Sequence, residues 1–453
     1  MRSLATSLVA LAAAGLLLTQ AAASDASWSA RVIARGDEIA RKVSRLRGLK
    51  IKRPIAMGVM SEDAIRARIL ERLAEDSPPA RRAAEAAMAR RWGLVPWELD
   101  LDQLTIDLLT EQIAGFYDPV EKKLYVADKP GGDDTWAGML LAHEIVHALQ
   151  DQHFDLEPWM KAVAHDGDAH AARAALVEGD GVALMLEYTL AEQGLPPPWS
   201  NPAIVRLLTT SLDPVGGGDL LGRAPLAIRQ SLMFPYVRGL EFVAHLRRTQ
   251  PWRRVDDAFR RPPRSTEQIL HPELYLADEK PHVITAVVPP GMREVHQAVW
   301  GEAGWSMFYE THGVAPATAM SAAAGWGGDR VLLVAATGDA GATAAPVRTT
   351  GLALLTFDTA LDATEAWAAL THALDALVIG AEISSATDRH RWLDATGRIT
   401  AAERRGAAIA IVTGAPLPAW RALLDGVWTW KVVGAPPPPS PGPVTEPEPL
   451  GAP

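Results

Sequence analysis

The chain has 453 residues, of which 48% are hydrophobic and 22% charged, so it is long enough for two domains with their own cores. Its formal net charge of −10, with Lys and Arg dispersed, argues against a general nucleic-acid binder, which would carry a basic patch. It contains no cysteine, which excludes disulfides and a lipoprotein attachment site.

The first 23 residues are typical of an export signal. Arg2 provides the positive start, residues 8–18 form an apolar stretch too short to span a bilayer, and Ala21-Ala-Ala23 offers a cleavage site after Ala23. We therefore expect an exported protein, periplasmic or secreted. An uncleaved N-terminal anchor is the alternative. No later stretch reaches the roughly 18 apolar residues of a transmembrane helix, so no membrane span is expected after cleavage.

Helical patterns alternate with short strands over the next hundred residues. Ser61 is placed to cap one of these helices. Gly115-Phe-Tyr-Asp-Pro119 and Lys123-Leu-Tyr-Val-Ala127 predict a short β-hairpin around a turn. The predicted helices cover residues 28–46, 62–74, 79–92 and 101–113, with a strand-like stretch at 49–59.

The most informative segment is Leu140-Leu-Ala-His-Glu-Ile-Val-His-Ala-Leu-Gln150, an apolar helical run that contains His-Glu-x-x-His. His143 and His147 are four residues apart, so both imidazoles lie on one helix face and can reach one Zn²⁺. Glu144 points about 100° away and can act as general base on a metal-bound water. A buried helix with two incidental histidines is the alternative interpretation.

Catalytic zinc needs a third protein ligand, and the first candidate is Glu178. It lies in a second helical pattern, residues 171–190, which begins far enough after His147 for the chain to turn back across the first helix. Gly179 and Gly181 each cost about 1 kcal/mol inside a helix, and close approach of two helices around an ion would explain them. A helix end with a solvated Glu178 is the alternative.

His153 is the second candidate for the third ligand. It stands where metzincin proteases, which share the His-Glu-x-x-His motif, place that ligand after a glycine turn. Here the turn position is Gln150, so the helix is expected to continue to about residue 152. His153 then ends the helix or forms hydrogen bonds around the site, and Glu178 is favoured as the ligand.

Three further side chains are candidates for substrate contacts. His271, at the end of a short helix capped by Ser265, could donate to an oxyanion, or it is a surface histidine at a helix stop. Tyr117 lies in the predicted hairpin, where a strand could bind peptide backbone, but it could equally be a core aromatic. Tyr188 is a weaker candidate for substrate binding.

The composition changes near Pro281. Beyond it, short apolar strands alternate with helices, which predicts a small α+β domain with an antiparallel sheet. The expected strands cover residues 331–335, 352–357 and 407–412, with helices at 363–377 and 418–430. The Pro-rich end is expected to be disordered. The predicted division is a signal peptide at 1–23, a mostly helical domain at 24–280, an α+β domain at 281–434 and a tail at 435–453.

The order His143-Glu-Ile-Val-His147 and then Glu178-Gly-Asp180 resembles the gluzincin zinc metallopeptidases, of the thermolysin and membrane-alanyl-aminopeptidase type. The resemblance covers roughly residues 100–190. It implies a zincin-like catalytic domain, zinc bound by the two histidines and Glu178, Glu144 as base, and a peptide or protein substrate.

A narrower resemblance, over about residues 30–275, is to exported bacterial proteins described as candidate metallopeptidases. It rests on Gly115-Phe-Tyr-Asp-Pro119, His147-Ala-Leu-Gln-Asp-Gln-His-Phe154 and Ser265-Thr-Glu-Gln-Ile-Leu-His-Pro272.

Two features depart from the gluzincin pattern. The longer gap before Glu178 requires an extra loop at about residues 153–168. Val182 replaces the acidic residue that orients a histidine in thermolysin-like enzymes. Asp151 or Asp180 could take that role, although Asp151 could also be a solvated acid at the helix end.

The leading hypothesis is therefore a zinc-dependent peptidase. The alternative is a catalytically inactive zincin-fold protein that acts as a binding partner or scaffold in the cell envelope. The oligomeric state, and whether residues 24–75 form an inhibitory prosegment, do not follow from the sequence.

Overall fold

A computed structural model of the protein describes residues 32–112, 114–128, 134–212, 220–248, 250–339 and 348–434. The predicted signal peptide and Pro-rich tail lie outside these residues. Within the described ranges, no helix combines the length and apolar character needed to cross a membrane.

The first part of the chain is mostly helical. Ser61 caps the second helix by accepting from the Ala64 N–H, as its position predicts, and Asp166 caps the long helix that carries Glu178. The stretch expected to be a loop at 153–168 contains a short helix instead. The helices are α1 (Gly36–Arg47), α2 (Glu62–Asp76), α3 (Pro79–Arg91), α4 (Leu101–Gln112), α5 (Asp134–Phe154), α6 (Leu156–Lys161) and α7 (Gly167–Glu192).

Six more helices are described in this part of the chain: α8 (Pro202–Leu212), α9 (Leu220–Arg223), α10 (Leu226–Arg247), α11 (Arg253–Arg260), α12 (Thr266–Leu270) and α13 (Pro272–Leu276). Of these, α10, α11 and α12 pack against α7. Pro235 lies inside α10, the longest of the six. Ser265 accepts from the Gln268 N–H at 3.2 Å and so caps α12, as the sequence predicts.

A small sheet lies against the helix that carries the two histidines. The predicted hairpin is confirmed: β2 (Gly115–Asp118) and β3 (Lys123–Ala127) pair antiparallel. The third strand, β1 (Ala56–Met60), pairs parallel to β3, giving the order β1-β3-β2. β2 is therefore an edge strand, and it packs on α5.

The C-terminal part confirms the α+β class with an antiparallel sheet, whose seven strands have the order β5-β6-β7-β11-β10-β9-β8. The three predicted strands form parts of β6, β7 and β11. Most of the missed strands are short or exposed, such as β8, and carry little apolar alternation. The strands are β4 (Val283–Thr285), β5 (Met292–Ala298), β6 (Trp326–Ala336), β7 (Thr349–Phe357), β8 (Gly380–Ala386), β9 (Arg389–Asp394), β10 (Arg398–Arg405), β11 (Ala408–Pro416) and β12 (Lys431–Val433). The helices are α14 (Gly301–Thr311), α15 (Pro316–Ala323), α16 (Ala360–Leu377) and α17 (Trp420–Val427).

Both faces of the large sheet are covered. Val331 and Leu333 of β6 point towards α14 and α16, while Leu332 and Val334 point towards α17, as the two-residue period of a strand requires. Trp92, which follows α3, is fully buried in the first of these clusters. This apolar cluster therefore contains residues from both sides of the predicted domain boundary at residues 280 and 281. The boundary itself stays a prediction.

The helix with Glu178 is held close to α10 by glycines. A Cβ added to Gly179 would lie 2.2 Å from the carbonyl carbon of Gly239, and one added to Gly239 would lie 2.1 Å from the carbonyl oxygen of Ala175. Real Cβ contacts are never this short, so the two backbones can touch only because both positions lack side chains.

Candidate metal centre

Three potential ligands meet in the core between α5 and α7. His143 and His147 project from α5 and Glu178 from α7, and each side chain is at most 1% exposed. The His143 Nε2 atom lies 3.0 Å from His147 Nε2 and 3.2 Å from Glu178 Oε2, and the His147 Nε2 atom lies 3.5 Å from Glu178 Oε2. One ligand atom from each residue lies within 4.8 Å of the others, so the group can bind a metal ion.

The chemistry of these atoms suits a cation. Two ring nitrogens and a carboxylate oxygen converge, and the second oxygen of Glu178 is buried without a hydrogen-bond partner among the described residues. A buried carboxylate oxygen without a partner is costly, because it has lost its water. A divalent ion would satisfy it, and the His₂Glu set is one that catalytic zinc uses.

The electrostatics of the cluster couple its three groups. Burial raises the pKa of Glu178, but the two histidines outweigh this effect and hold that pKa below its ordinary value. Burial also lowers the pKa of His147, but the Glu178 carboxylate outweighs it and raises the pKa to about 9. Because histidine binds metal through an unprotonated ring nitrogen and glutamate through its carboxylate, a cation at these three groups would compete with protons for them.

Glu144 lies beside the cluster and is completely buried. Its Oε2 accepts a hydrogen bond from the Tyr117 N–H on β2 at 2.9 Å, while Oε1 has no partner among the described residues. Burial raises the pKa of Glu144 to about 8. The carboxylate is thus held by one oxygen and free at the other, which allows it to accept and donate a proton near neutral pH.

Gln150 orients His147. The Nδ1 of His147 lies 2.9 Å from Gln150 Oε1, an acceptor, so Nδ1 carries the proton and Nε2 faces the cluster. Gln150 Nε2 donates to Asp180 Oδ2 at 2.8 Å and to the Val177 carbonyl at 3.0 Å. Asp180 therefore reaches the histidine only through Gln150. Sequence reasoning treated Gln150 merely as the absence of a glycine and missed this role.

Arg47 of α1 supports the same chain of contacts and is fully buried. Its Nε donates to Asp180 Oδ1 at 2.7 Å and its NH1 group to Asp256 Oδ1 at 2.8 Å. Its guanidinium also lies over the Trp252 ring, 4.6 Å from the centroid. Residues 24–75, for which a prosegment role was left open, therefore include a side chain that fixes the site. No local signal could have identified it.

Asp151 is buried rather than solvated, which corrects one of the two interpretations of this residue. It accepts hydrogen bonds from the Tyr117 hydroxyl at 2.8 Å and from Lys122 Nζ at 2.8 Å, and it forms an ion pair with Arg53 at 3.2 Å. These partners do not include a motif histidine. Asp151 instead anchors Tyr117, whose N–H holds Glu144, to the histidine helix.

The contact with His143 explains why position 181, one of the two glycine positions after Glu178, has no side chain. A Cβ at this position would lie 2.7 Å from His143 Cε1, so a glycine is needed for the ring to lie against α7. Gly179, in contrast, faces the Gly239 backbone of α10. The expected packing around the site therefore holds for Gly181, whereas Gly179 allows the contact between α7 and α10.

The alternative third ligand is not part of the cluster. His153 lies at the end of α5, where its Nε2 atom is 2.8 Å from the Lys50 carbonyl oxygen. Glu178 rather than His153 therefore joins the two motif histidines. His271 also lies with other partners: its Nε2 is 2.9 Å from Glu302 Oε1, and the hydrogen bond to Glu302 raises its pKa.

Tyr117, Tyr188 and Tyr236 have different surroundings. The Tyr117 side chain is buried, so only its backbone N–H reaches Glu144. Tyr188 is buried against Gly138, with the Lys42 ammonium over its ring. Tyr236 of α10, which sequence reasoning did not select, lies near His143, with ring centroids 6.5 Å apart and ring planes inclined by 32°. Its only sequence signal is its place beside a proline in a helix.

Comparison with known sequences bears on the C-terminal part. The family described as Domain of unknown function (DUF8575) matches residues 287–423, which run from just before β5 into α17. The match covers less than a third of the chain and leaves the metal cluster outside it. No curated protein and no solved structure matches the chain. The matched family therefore does not include the residues of the metal cluster.

Proposed function

We propose that the protein is an exported zinc-dependent peptidase that hydrolyses peptide bonds in peptide or protein substrates. The observation that carries the proposal is the group of three buried ligand atoms within 4.8 Å of one another, with Glu144 beside it. The resemblance of the two motifs to gluzincins supports the same conclusion. Export rests on the signal-like residues 1–23.

The residues have distinct roles in this proposal. His143, His147 and Glu178 would hold zinc, which when bound lowers the pKa of water and polarises a carbonyl group. Gln150 keeps the Nε2 of His147 directed at the site. The unpartnered Oε1 of Glu144 accepts the proton of the attacking water and passes it to the leaving amine.

The edge of the small sheet is a candidate surface for peptide binding. β2 is an edge strand, but all four of its residues are buried, so an extended peptide could add to it through backbone hydrogen bonds only after a local opening. Because the Tyr117 N–H on β2 already holds Glu144, a peptide paired with this edge would lie beside the general base.

The test measures metal content and turnover in the same preparations. Purified protein should bind one zinc per chain and cleave casein or a quenched peptide, and a chelator should abolish cleavage. Glu144→Gln should keep the zinc and lose turnover, while Glu178→Ala should lose both. His153→Ala is the matched control and should retain both. Zinc-free wild-type protein, or undiminished turnover in Glu144→Gln, would contradict the proposal.

A second candidate is an inactive zincin-fold binding or scaffold protein with a structural metal. The specific observation in its favour is burial, because the three ligand side chains and Glu144 are each at most 1% exposed. A substrate can reach them only after a local opening. A folded, zinc-loaded protein that cleaves no substrate would support this candidate, whereas chelator-sensitive turnover would exclude it.

A further inference from the structure

A cavity on another side of α7, away from the metal cluster, contains a concentration of positive charge. It has a volume of about 500 Å³ and lies between α7, α10, α11, α12 and α13. Two acidic side chains line it, Asp257 and Asp278. Five arginines line it: Arg173, Arg254, Arg260, Arg261 and Arg264. We call this cavity the arginine cleft.

Only two of the arginines are neutralised. Arg260 pairs with Asp257 at 3.2 Å, and Arg264 pairs with Asp278 at 3.2 Å. This leaves the cleft with an excess of three positive charges in a chain whose formal net charge is −10. Such an excess attracts anions, because like charges gathered in one cavity raise its potential.

The three remaining arginines have no acidic partner among the residues that the structure describes. Arg173 donates to the Trp159 carbonyl and lies over the Trp159 ring, 4.8 Å from its centroid. Arg254 and Arg261 are exposed and form no ion pair with any described residue. Their guanidinium donors therefore remain available to a ligand.

The wall that carries Arg261 and Arg264 is held in place. Pro262 and Pro263 separate the two arginines and restrict the backbone between them. The Tyr275 hydroxyl donates to the Arg261 carbonyl at 3.0 Å, and the Arg264 N–H donates to Gln268 Oε1 at 2.7 Å. A wall fixed by these contacts loses little freedom when a ligand binds.

We propose that the arginine cleft binds a phosphate group carried on a larger molecule. Guanidinium groups donate in a planar fork that matches the oxygens of a phosphate group, in a monoester or a diester, and Arg254 and Arg261 have no acidic partner among the described residues. The cavity has the volume of a small-molecule site, so it accommodates more than a free ion.

The site is separate from the metal cluster. Arg173 and Glu178 are five residues apart on α7, so the rotation of about 100° per residue places them on different faces of the helix. Phosphate binding therefore does not rest on the proposed peptidase activity. Its failure would also leave the zinc and cleavage measurements unaffected.

The test uses the full chain and two phosphate sources at constant ionic strength. Glycerol 3-phosphate is titrated by calorimetry, and phosphatidylglycerol vesicles are compared with phosphatidylcholine vesicles by sedimentation. Arg254→Gln/Arg261→Gln removes two cleft charges. Arg41→Gln/Arg45→Gln removes two exposed charges from α1 and is the matched control. Circular dichroism and the melting temperature establish that each variant is folded.

The cleft variant should bind phosphate about tenfold more weakly than wild type, and the control variant should differ from wild type by less than about twofold. Arg254→Lys/Arg261→Lys, which keeps the charge but loses the fork, should lie in between. Saturable binding of glycerol 3-phosphate would identify a soluble ligand, and binding to phosphatidylglycerol vesicles alone would identify a lipid headgroup. The proposal is overturned if neither source binds wild type saturably, or if both double variants weaken binding equally.

Discussion

Gln150 connects His147 to Asp180 inside the core, and its replacement by leucine would break three contacts at once. The contacts are to His147 Nδ1 at 2.9 Å, Asp180 Oδ2 at 2.8 Å and the Val177 carbonyl at 3.0 Å. Gln150 is 0% exposed, so water cannot replace them without rearrangement. At about 1 kcal/mol for each lost hydrogen bond, Gln150→Leu should destabilise the protein by about 3 kcal/mol.

The same substitution should weaken metal binding. Without the Gln150 oxygen, the His147 ring is no longer held with Nε2 towards the cluster. Loss of such an orienting partner lowers metal affinity about 10–100-fold. Urea unfolding in the presence of chelator measures the first effect, and zinc competition with a chromophoric chelator measures the second.

Gln152→Leu is the matched control, since Gln152 lies on the same helix and the described hydrogen bonds of its side chain are to backbone groups of Lys52 and Arg53. These three hydrogen bonds are exposed, so water can replace them, and Gln152→Leu should cost about 1 kcal/mol and leave zinc affinity unchanged. If Gln150→Leu bound zinc as tightly as Gln152→Leu does, Gln150 would not orient His147 and the reasoning would be refuted.

Three further predictions concern the helix crossing, the hairpin and the metal. Gly179→Ala places a methyl group 2.2 Å from the Gly239 backbone and should cost more than about 3 kcal/mol in thermal unfolding, while Gly426→Ala, which meets no neighbour, should be neutral or stabilising. Asp118 is 2% exposed and pairs with two arginines, so Asp118→Asn should cost about 3 kcal/mol at pH 7. Burial alone would raise the pKa of Asp118, but hydrogen bonds from the backbone and from arginine outweigh burial and lower this pKa. The stabilisation by the Asp118 carboxylate is therefore present above about pH 4 and is lost as the pH falls further. The urea midpoints of wild type and Asp118→Asn should thus converge in acid. Chelator should lower the melting temperature of the wild type but not of Glu178→Ala, and equal shifts in both would count against this metal site.

Local chemistry explains what could be predicted for the site. His143 and His147 are one helical turn apart, so their common face follows from the period of the helix alone. Gly181 carried its own signal, because a glycine within a helix needs a packing reason. The α+β class followed from the apolar strands and helices beyond residue 281 for the same reason: their patterns are periodic and short-range.

The rest depended on contacts between residues far apart in the chain. Arg47 bonds to Asp180, 133 residues away, and neither residue carries a pattern that names the other. The Gly239 backbone that meets Gly179, and the position of Trp92 in the core of the C-terminal sheet, are equally invisible along the sequence. The sequence by itself determined the two helices that carry the site, the hairpin and the histidine pair, since these obey local periods. Only the tertiary structure decided that Glu178 lies with the two histidines and that Gln150 orients His147. Packing brings these segments together in ways that no local period encodes.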